Sequence, residues 1–335
     1  MKLISLDPAD DSMVDKVLAL SDEANENDRD AFPQCRYQLR HLITSSSEDF
    51  ERHVILAVDG DELSGAVLIL LPRRENRQMA QLGVMVHPRR RRRGVGGALL
   101  DSAVEFVRER DRTVAVASTL FPMEGDTRWI DSRGFVAAKG FAVALTLNAY
   151  RLDLTSSATV EDELWPDARD RSAEYELTTF TTPTPEEFVP GVLALAERIN
   201  TDVPHGDIEI EKAEFDVKRL REAEADDHAQ GVTKRVTIAR HRETGQFGGY
   251  TTQLIKAGVA DTVDVGVTLV DPGHRGKRLG IALKIKSQRD LRRDCPQVRF
   301  IETGNADVNE QMLAINRQLG FALVGHVATV QKAIG

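Results

Sequence analysis

Two segments of the chain combine arginine, glycine and proline in a pattern that could bind a phosphorylated ligand. The first copy, residues 82–100, reads LGVMVHPRRRRRGVGGALL, and the second copy, residues 266–283, reads GVTLVDPGHRGKRLGIAL. In each copy an apolar run ends at a proline, a basic loop with glycine follows, and an amphipathic run begins. Amides of such a loop and of the next helix's first turn converge on one point, where the helix dipole adds positive charge. The pattern therefore predicts two phosphate-binding turns.

Each turn requires a strand before it and a helix after it. The residue before a proline is held extended, so each apolar run is predicted to be a strand that ends at Pro88 or Pro272. The copies are separated by the length of a domain rather than by the roughly 20 to 50 residues of a repeat array, which predicts two related domains. We expect a Ser/Asp-rich linker with Pro166 between them, and the boundaries 1–154, 155–171 and 172–335.

The periodicity of apolar residues predicts the same element order, βαα-ββ-βα-βα-β, in each half of the chain. This order indicates an α/β fold with a mixed sheet. In the second half, for example, Val263, Val265, Val267 and Leu269 alternate with other residues, as expected of the strand before the loop.

The loops themselves carry a family resemblance. Arg91, Gly94 and Gly96 spell R-x-x-G-x-G, whereas the second copy has Arg278 where the first has Gly94. The motif resembles the acetyl-CoA-binding motif of the GNAT family, the Gcn5-related N-acetyltransferases. The spacing differs from a dinucleotide-binding G-x-G-x-x-G, and Lys277 followed by Arg278 excludes a P-loop. Two downstream segments strengthen the resemblance: 303–321, similar to the family's fifth strand, fourth helix and closing LGF, and, more weakly, 129–135, WIDSRGF.

The resemblance implies two tandem GNAT-like domains, in which the strand before each loop splays from its neighbour and admits the pantetheine arm of acetyl-CoA. The thioester oxygen would face backbone amides around Val84, Met85 and Val86, and around Thr268, Leu269 and Val270. The pyrophosphate would lie on Arg91, Arg92, Arg93, Gly94, Val95, Gly96 and Gly97, and on Arg275, Gly276, Lys277, Arg278, Leu279 and Gly280. For Asn305 and Asn309 the family implies a cofactor contact, and helix capping by Asn305 or Asp307 is the alternative.

Proton transfer requires a base for the amine and a donor for the leaving thiolate. In the second half, Asp264, Glu302 and His274 are candidate bases; their structural alternatives are an edge charge, a hydrogen-bond acceptor and a phosphate contact. The family's frequent acid is a tyrosine five residues before the phenylalanine of "GF", where this chain has Asn316 and Ile130. Tyr250 is a candidate replacement, with a buried structural role as its alternative.

The implied reaction is direct attack of a small molecule's primary amine on the acetyl thioester, and we favour the second half as catalytic. The first half offers Gln81 and His87 but no carboxylate on its strand before the loop. In tandem arrangement and length the chain resembles the mycothiol synthases, which acetylate a cysteinyl amine. A drug-modifying acetyltransferase is equally open, and a non-catalytic acyl-CoA-binding module is the competing class.

Composition narrows the class of protein. The chain has 335 residues, 41% hydrophobic and 29% charged, as in globular proteins. A formal net charge of −9 argues against a general nucleic-acid binder and favours cationic small molecules. Cys35 and Cys295 form no metal-ligand pattern, and we expect no metal. Without an apolar run of membrane length or a signal peptide, a cytoplasmic location is expected.

Overall fold

The structure is a computed structural model that describes residues 1–25, 35–45, 48–126, 131–202 and 206–334, with the backbone alone for residues 200–202. The chain forms two compact units. The first unit comprises Met1–Leu147, His205–Glu211 and Gly325–Gly335; the second comprises Asn148–Pro204 and Lys212–Val324.

The first unit follows the predicted order of elements. Its elements are β1 (Lys2–Ser5), α1 (Asp11–Ala24), α2 (Arg36–Thr44), β2 (Phe50–Asp59), β3 (Glu62–Pro72), β4 (Met79–Val86), α3 (Val95–Arg108), β5 (Val114–Phe121), α4 (Arg133–Ala138) and the start of β6 (Ala142–Asp153). The sheet order is β1-β2-β3-β4-β5-β12, where β12 (Ala322–Ala333) is the last strand of the chain.

The second unit repeats this architecture. Its elements are α5 (Leu154–Arg171), β7 (Tyr175–Thr181), α6 (Val189–Asp202), α7 (Val217–Ala229), β8 (Val232–His241), β9 (Phe247–Lys256), β10 (Thr262–Val270), α8 (Leu279–Asp294), β11 (Phe300–Ala306) and α9 (Glu310–Gln318). The sheet order, β7-β8-β9-β10-β11-β6, matches that of the first unit. The prediction of an α/β fold with mixed sheets is therefore confirmed.

The final strand of each half ends in the other unit. From His326 to Ala333, β12 pairs antiparallel with β5, and so completes the sheet of the first unit. From Asn148 onward, β6 belongs to the second unit, where it lies next to β11.

The segment predicted as a linker, 155–171, forms a helix. Asp153 caps α5 by accepting a hydrogen bond from the Thr155 amide at 2.9 Å, and the helix continues through Pro166. Buried Glu161 of α5 receives two hydrogen bonds from Arg292 of α8, at 2.8 and 3.1 Å. The polar composition of this segment therefore reflects ion pairs with a neighbouring helix.

In both units the strand before the loop diverges from its parallel neighbour. β4 and β5 pair only from Met79↔Val114 to Gln81↔Val116, and β10 and β11 only from Thr262↔Phe300 to Asp264↔Glu302. Beyond the third pair the strands separate. We call this opening the fork.

Of the two strands that precede the loops, only β10 carries a bulge. The register of β3 on β4 is unbroken from Gly65↔Val86 to Leu70↔Gln81, whereas that of β9 on β10 shifts between Val265 and Thr268. On the far side of the bulge, Leu254 pairs with Asp264 as Leu70 pairs with Gln81. Asp264 is therefore the structural counterpart of Gln81, and Glu302 that of Val116.

The layer between the central helix and the sheet differs between the units. In the first unit α3 packs on Val67, Ile69 and Leu71, all fully buried. In the second unit α8 presents buried Ser287 and Gln288 where α3 has Ala103 and Val104, and β9 has buried Thr251 and Gln253 at the positions of Val67 and Ile69. The second unit therefore buries polar groups where the first buries apolar ones.

Candidate active site

The two loops share a backbone conformation although their glycines are placed differently. Arg92 (φ 59°) and Gly94 (φ 84°) are left-handed in the first loop, as are Gly276 (φ 82°) and Arg278 (φ 57°) in the second. Each loop thus uses one glycine and one arginine at the same two positions, in opposite order. A left-handed arginine carries some strain, since the side chain contacts the backbone there.

Arg278 does not crowd the turn as a side chain at the glycine position would be expected to. Its Nε lies 2.8 Å from Asp167 Oδ2, and its Nη1 donates to Gln318 Oε1 at 3.0 Å. Both partners lie on helices of the second unit, α5 and α9. The side chain is therefore directed toward these helices.

Both loops lead into helices whose first amides receive no side-chain cap. The N-cap residues, Gly94 for α3 and Arg278 for α8, supply no acceptor. Uncapped amides at a helix N-terminus are a ready site for an anion such as pyrophosphate. The motif arginines hydrogen-bond to the last residue of the strand before each loop. Arg91 Nε donates to Val86 O at 3.2 Å, and Arg275 Nε donates to Val270 O at 3.1 Å.

The second loop is fastened to the start of β7. Lys277 Nζ donates to Glu174 Oε2 at 2.6 Å, and Tyr175 Oη lies 2.7 Å from His274 Nδ1. The His274 ring also stacks edge-on against Tyr175. His274, a candidate base from sequence, is thus engaged in holding the loop.

A row of four charged side chains crosses the second unit at the base of its fork. It consists of Lys256 on β9, Asp264 on β10, Glu302 on β11 and Arg151 on β6, and we call it the charged row. Lys256 pairs with Asp264. Arg151 donates to Glu302 Oε1 through Nε at 3.0 Å and Nη2 at 2.6 Å. The two carboxylates are neighbours because Asp264 and Glu302 are register partners on parallel strands.

The two carboxylates differ in exposure. The Asp264 side chain is 27% exposed and that of Glu302 is 2% exposed. Burial raises the pKa of Glu302 to about 7, with a further increase from Asp264 and an opposing decrease from Arg151. A carboxylate with a pKa near neutrality is suited to general base catalysis.

The fork of the first unit lacks these charges. Gln81 and Val116 occupy the positions of Asp264 and Glu302, and the register partner of Val116 on β12 is Gln331. None of the three can accept a proton from an ammonium group at neutral pH.

The position of the family's tyrosine is occupied by Asn316 in the second unit. Asn316 is fully buried, and its Nδ2 donates to Asn305 Oδ1 at 2.6 Å. Asn309 caps α9 by accepting from the Met312 amide at 3.3 Å, so the capping role expected of Asn305 or Asp307 belongs to Asn309. Cofactor contacts by Asn305 and Asn309 stay predictions.

In the first unit the counterpart of Phe321 is Phe141, and not Phe135 as the WIDSRGF segment predicted. Phe321 N donates to Asn316 O at 3.0 Å, and Phe141 N donates in the same way to Val136 O at 3.0 Å. Gly320 and Gly140 precede the phenylalanines with φ of 85° and 78°. Val136 therefore occupies the tyrosine position. Trp129 and Ile130 of the WIDSRGF segment lie outside the described residues.

Tyr250 lies in an apolar cluster with Val236, Ile238 and Leu269. Burial raises the pKa of its hydroxyl well above the ordinary value, which makes it a weaker proton donor. Its surroundings favour the structural role that the sequence left as the alternative.

Three cationic residues of the second unit were not predicted from the sequence to be buried or paired. Arg151 and Lys256 complete the charged row from strands distant in sequence, and only alternation on β6 and β9 could have placed them on one face. Lys284 on α8 is 3% exposed, with its ammonium 5.1 Å from the centroid of the Phe321 ring. Its equivalent in the first unit is Leu100, so comparing the two copies position by position would have indicated its burial.

Two kinds of feature are absent from the residues that the structure describes. No group of three or more His, Cys, Asp or Glu side chains is arranged to hold a metal ion in the described part of the chain. Among the helices described, none is both long and apolar enough to cross a membrane.

Comparison with known proteins agrees with this architecture. The acetyltransferase (GNAT) family profile matches residues 17–124. A mycothiol acetyltransferase of Saccharomonospora viridis is 31% identical over 297 residues, covering 85% of this chain and 81% of that protein. A solved tandem GNAT protein from the clavulanic acid biosynthesis pathway has a TM-score of 0.81 at 27% identity, covering 100% of this chain and 98% of the other. A GCN5-related N-acetyltransferase from Sphaerobacter thermophilus shares the fold, with a TM-score of 0.65, 15% identity and coverage of 99% and 96%.

Proposed function

Because the chain belongs to the GNAT acetyltransferase family, and is thus an acyl-CoA-dependent N-acyltransferase, we propose that its second unit acetylates a small molecule's primary amine from acetyl-CoA. The observation that supports this assignment is the carboxylate pair Asp264 and Glu302 at the base of the second fork. The first unit has Gln81 and Val116 there.

The residues of the second loop suit the binding of acetyl-CoA. The uncapped amides around Gly276 to Gly280 would hold the pyrophosphate, and a side chain at Gly280 would meet Ile315 Cδ1 at 2.8 Å. Backbone amides of Thr268 to Val270, which follow the bulge, would face the thioester and pantetheine. The bulge matters because it re-aims backbone groups that a regular strand would commit to the sheet.

The carboxylate pair would first take one proton from the substrate's ammonium group, which frees the nitrogen lone pair. The neutral amine would then attack the thioester carbonyl, the C–N bond forming and the C–S bond breaking, and the second N–H proton would leave through water for the thiolate. Asp264, the more exposed carboxylate, would meet the ammonium first, and Glu302 would share the proton because of its raised pKa. With Asn316 at the tyrosine position, the leaving thiolate would be protonated by water or by the substrate.

The base assignment is tested by Asp264→Asn and Glu302→Gln in the full chain, with Gln81→Ala as the matched control. Loss of a general base lowers kcat by roughly 10²- to 10⁴-fold. We expect losses of this size in at least one carboxylate variant and wild-type turnover in Gln81→Ala, measured as thiol release at saturating acetyl-CoA. Wild-type turnover in both carboxylate variants would contradict the assignment.

The unit that binds the productive cofactor is tested by Gly280→Asp against Gly96→Asp. An aspartate at either place brings negative charge to the pyrophosphate site and a side chain against its neighbours, Ile315 in one case and Val86 in the other. We expect Gly280→Asp to abolish turnover and Gly96→Asp to leave it largely intact. The reverse pattern would assign catalysis to the first unit.

The amine substrate is a separate question. The relative from Saccharomonospora viridis is named for mycothiol, so a cysteinyl amine is one candidate, beside the polyamines and amino sugars that the net charge of −9 favours. Turnover with a panel of these amines and of amino acids distinguishes them. Cofactor binding without turnover of any amine would instead favour the non-catalytic acyl-CoA-binding module. The cytoplasmic location also stays a prediction.

A further inference from the structure

Arg151 holds one oxygen of Glu302 and leaves the other open. Both of its N–H groups converge on Oε1, at 3.0 and 2.6 Å. The second oxygen, Oε2, is buried and accepts no hydrogen bond from any described residue. A buried carboxylate oxygen without a donor is costly, so its retention suggests a partner that arrives with the substrate.

Three charged groups face Glu302 across the sheet. Arg151 approaches from β6, Asp264 from β10, and Lys256 from β9 beyond it. Asp264 is itself neutralised by Lys256. Arg151 is therefore the cation that balances Glu302, and without it both burial and Asp264 would favour the protonated acid.

Arg151 and Glu302 are both present in the second unit, and both are replaced by uncharged residues in the first. At the equivalent positions of the first unit, Gln331 replaces Arg151 and Val116 replaces Glu302, and these two are register partners. The rest of the charged row is replaced as well, by Gln81 for Asp264 and Pro72 for Lys256. The charged row is therefore confined to the fork that carries the two candidate bases.

We propose that Arg151 is a positioning residue for the acetyl transfer: it fixes Glu302 with Oε2 open toward the incoming amine and favours the ionised form of that carboxylate. The inference rests on the proposed function, since it assumes that Glu302 takes part in proton transfer. It also means that a strand beginning in the first unit completes the active site of the second.

Two variants of the full-length enzyme, Arg151→Gln and Arg151→Lys, test the proposal. An adjacent arginine lowers a carboxyl pKa by about 1–3 pH units, so Arg151→Gln should raise that of Glu302 by this amount. The acid limb of kcat/KM against pH should move upward equally, with a loss of about fivefold or more at pH 7 that higher pH restores. Arg151→Lys keeps the charge and should show a smaller shift.

The matched control is Arg299→Gln. Arg299 and Arg151 both stack on the Phe300 ring, at 4.7 and 4.8 Å, but Arg299 pairs with Asp153 and not with Glu302.

A second readout separates this inference from the proposed function. Infrared difference spectra between each protein and the same protein carrying Glu302→Gln report the titration of Glu302 without turnover. Upward shifts of both the infrared titration and the acid limb in Arg151→Gln, with neither in Arg299→Gln, support the proposal. An unshifted infrared titration overturns it and leaves the base assignment standing. If the infrared titration of Glu302 shifts but the acid limb of kcat/KM does not, Glu302 does not limit proton transfer. That outcome overturns both the base assignment and the role proposed for Arg151. Should Arg151→Gln not fold, Arg151→Lys decides by the same two readouts.

Discussion

At the scale of single residues, the charged row separates the two halves of the protein chemically. A carboxyl with a pKa near 7 is poised to take a proton from an ammonium group and to return it to water. Such a carboxyl also lowers the free energy of unfolding when it is ionised. Its ionised form is better solvated in the unfolded chain than in the fold.

Glu302 should make stability fall as pH rises through the range between its two pKa values. The unfolded pKa is close to the ordinary 4.5 and the folded value is about 7, so between them the folded state binds more protons. Relative to Glu302→Gln, the wild type should lose on the order of 3 kcal/mol of unfolding free energy between pH 4.5 and pH 7. Urea denaturation of both proteins across this range measures the difference. A pH-independent difference would contradict the buried environment of Glu302.

Lys284 should act in the opposite direction. Burial lowers its pKa to about 8, below the ordinary 10.5, so the unfolded chain binds more protons between these values and stability rises with pH. Lys284→Leu, which introduces the residue at the equivalent position of α3, should stabilise the protein at pH 7 by on the order of 3 kcal/mol. The gain should vanish toward pH 10.5. Lys286→Leu is the control, since the partly exposed Lys286 pairs with Asp290 and offers no such gain.

Sequence identified Asp264 and Glu302 but not what distinguishes them. Asp264 lies on the strand whose end is fixed by Pro272 and the loop glycines, and Glu302 lies on the next strand in the sequence, β11. The bulge before Thr268 is invisible in the residue pattern, and so is the arrival of Arg151 beside Glu302. Both depend on strand pairing between segments far apart in the chain, which local periodicity does not encode.

At the scale of elements, α8 and its loop depend on contacts that α3 lacks. α5 reaches the second loop twice, through Asp167 to Arg278 and through Arg171 Nη2, which donates to Gly276 O at 3.2 Å. The polar layer beneath α8 has unsatisfied groups: Gln253 Oε1 and Gln288 Oε1 are buried without a described partner. Stability has thus been given up in this layer, since unsatisfied buried acceptors each cost about 1–3 kcal/mol.

Replacing this pair by the residues of the first unit should stabilise the protein. Gln253→Ile with Gln288→Val removes two unpartnered acceptors and restores the apolar pattern of Ile69 and Val104. We expect a gain of about 1–3 kcal/mol in unfolding free energy. The reciprocal double variant, Ile69→Gln with Val104→Gln, should destabilise the first unit. A loss of stability in the first variant would show that Oε1 of Gln253 and Oε1 of Gln288 accept hydrogen bonds in the wild-type protein.

Element order was largely predictable, with α5 as the exception. Alternating apolar residues indicate the strands, and an apolar stripe indicates each central helix. The buried face of α5 places Ser157 and Glu161 among Leu154, Leu164, Trp165 and Ala168, so its apolar stripe is interrupted and hard to detect in the sequence. Arg292 and Arg289 of α8 donate hydrogen bonds to its carboxylates, Glu161 and Asp162, and hold it against the unit.

At the scale of the whole molecule, the exchange of final strands determines what can be removed. Ala328 and Val330 of β12 are fully buried in the core of the first unit, and Ile334 N donates to Thr113 O at 2.9 Å. Duplication of the fold was readable from the repeated loop. The exchange was not, because either strand could in principle close its own half with the same side-chain pattern.

Deleting residues 326–335 should therefore unfold the first unit, at the opposite end of the chain. The deletion exposes the edge of β5 from Val114 to Phe121 and removes buried apolar area from the core. Hydrogen exchange should show loss of protection throughout β2 to β5. Leu323→Ala, at an exposed position of β12, is the control and should leave protection unchanged. Retained protection of β5 after the deletion would contradict the pairing.

The interchange of β6 and β12 also bears on how such a gene can change. A gene that lost the coding region of its N-terminal half would also lose Arg151. A gene that lost its last codons would remove β12 and so destabilise the N-terminal unit. Neither duplicate can be discarded, transplanted or replaced by recombination at the midpoint without breaking the other. A copy with no proton acceptor in its fork can in this way be inherited for as long as its sibling remains useful.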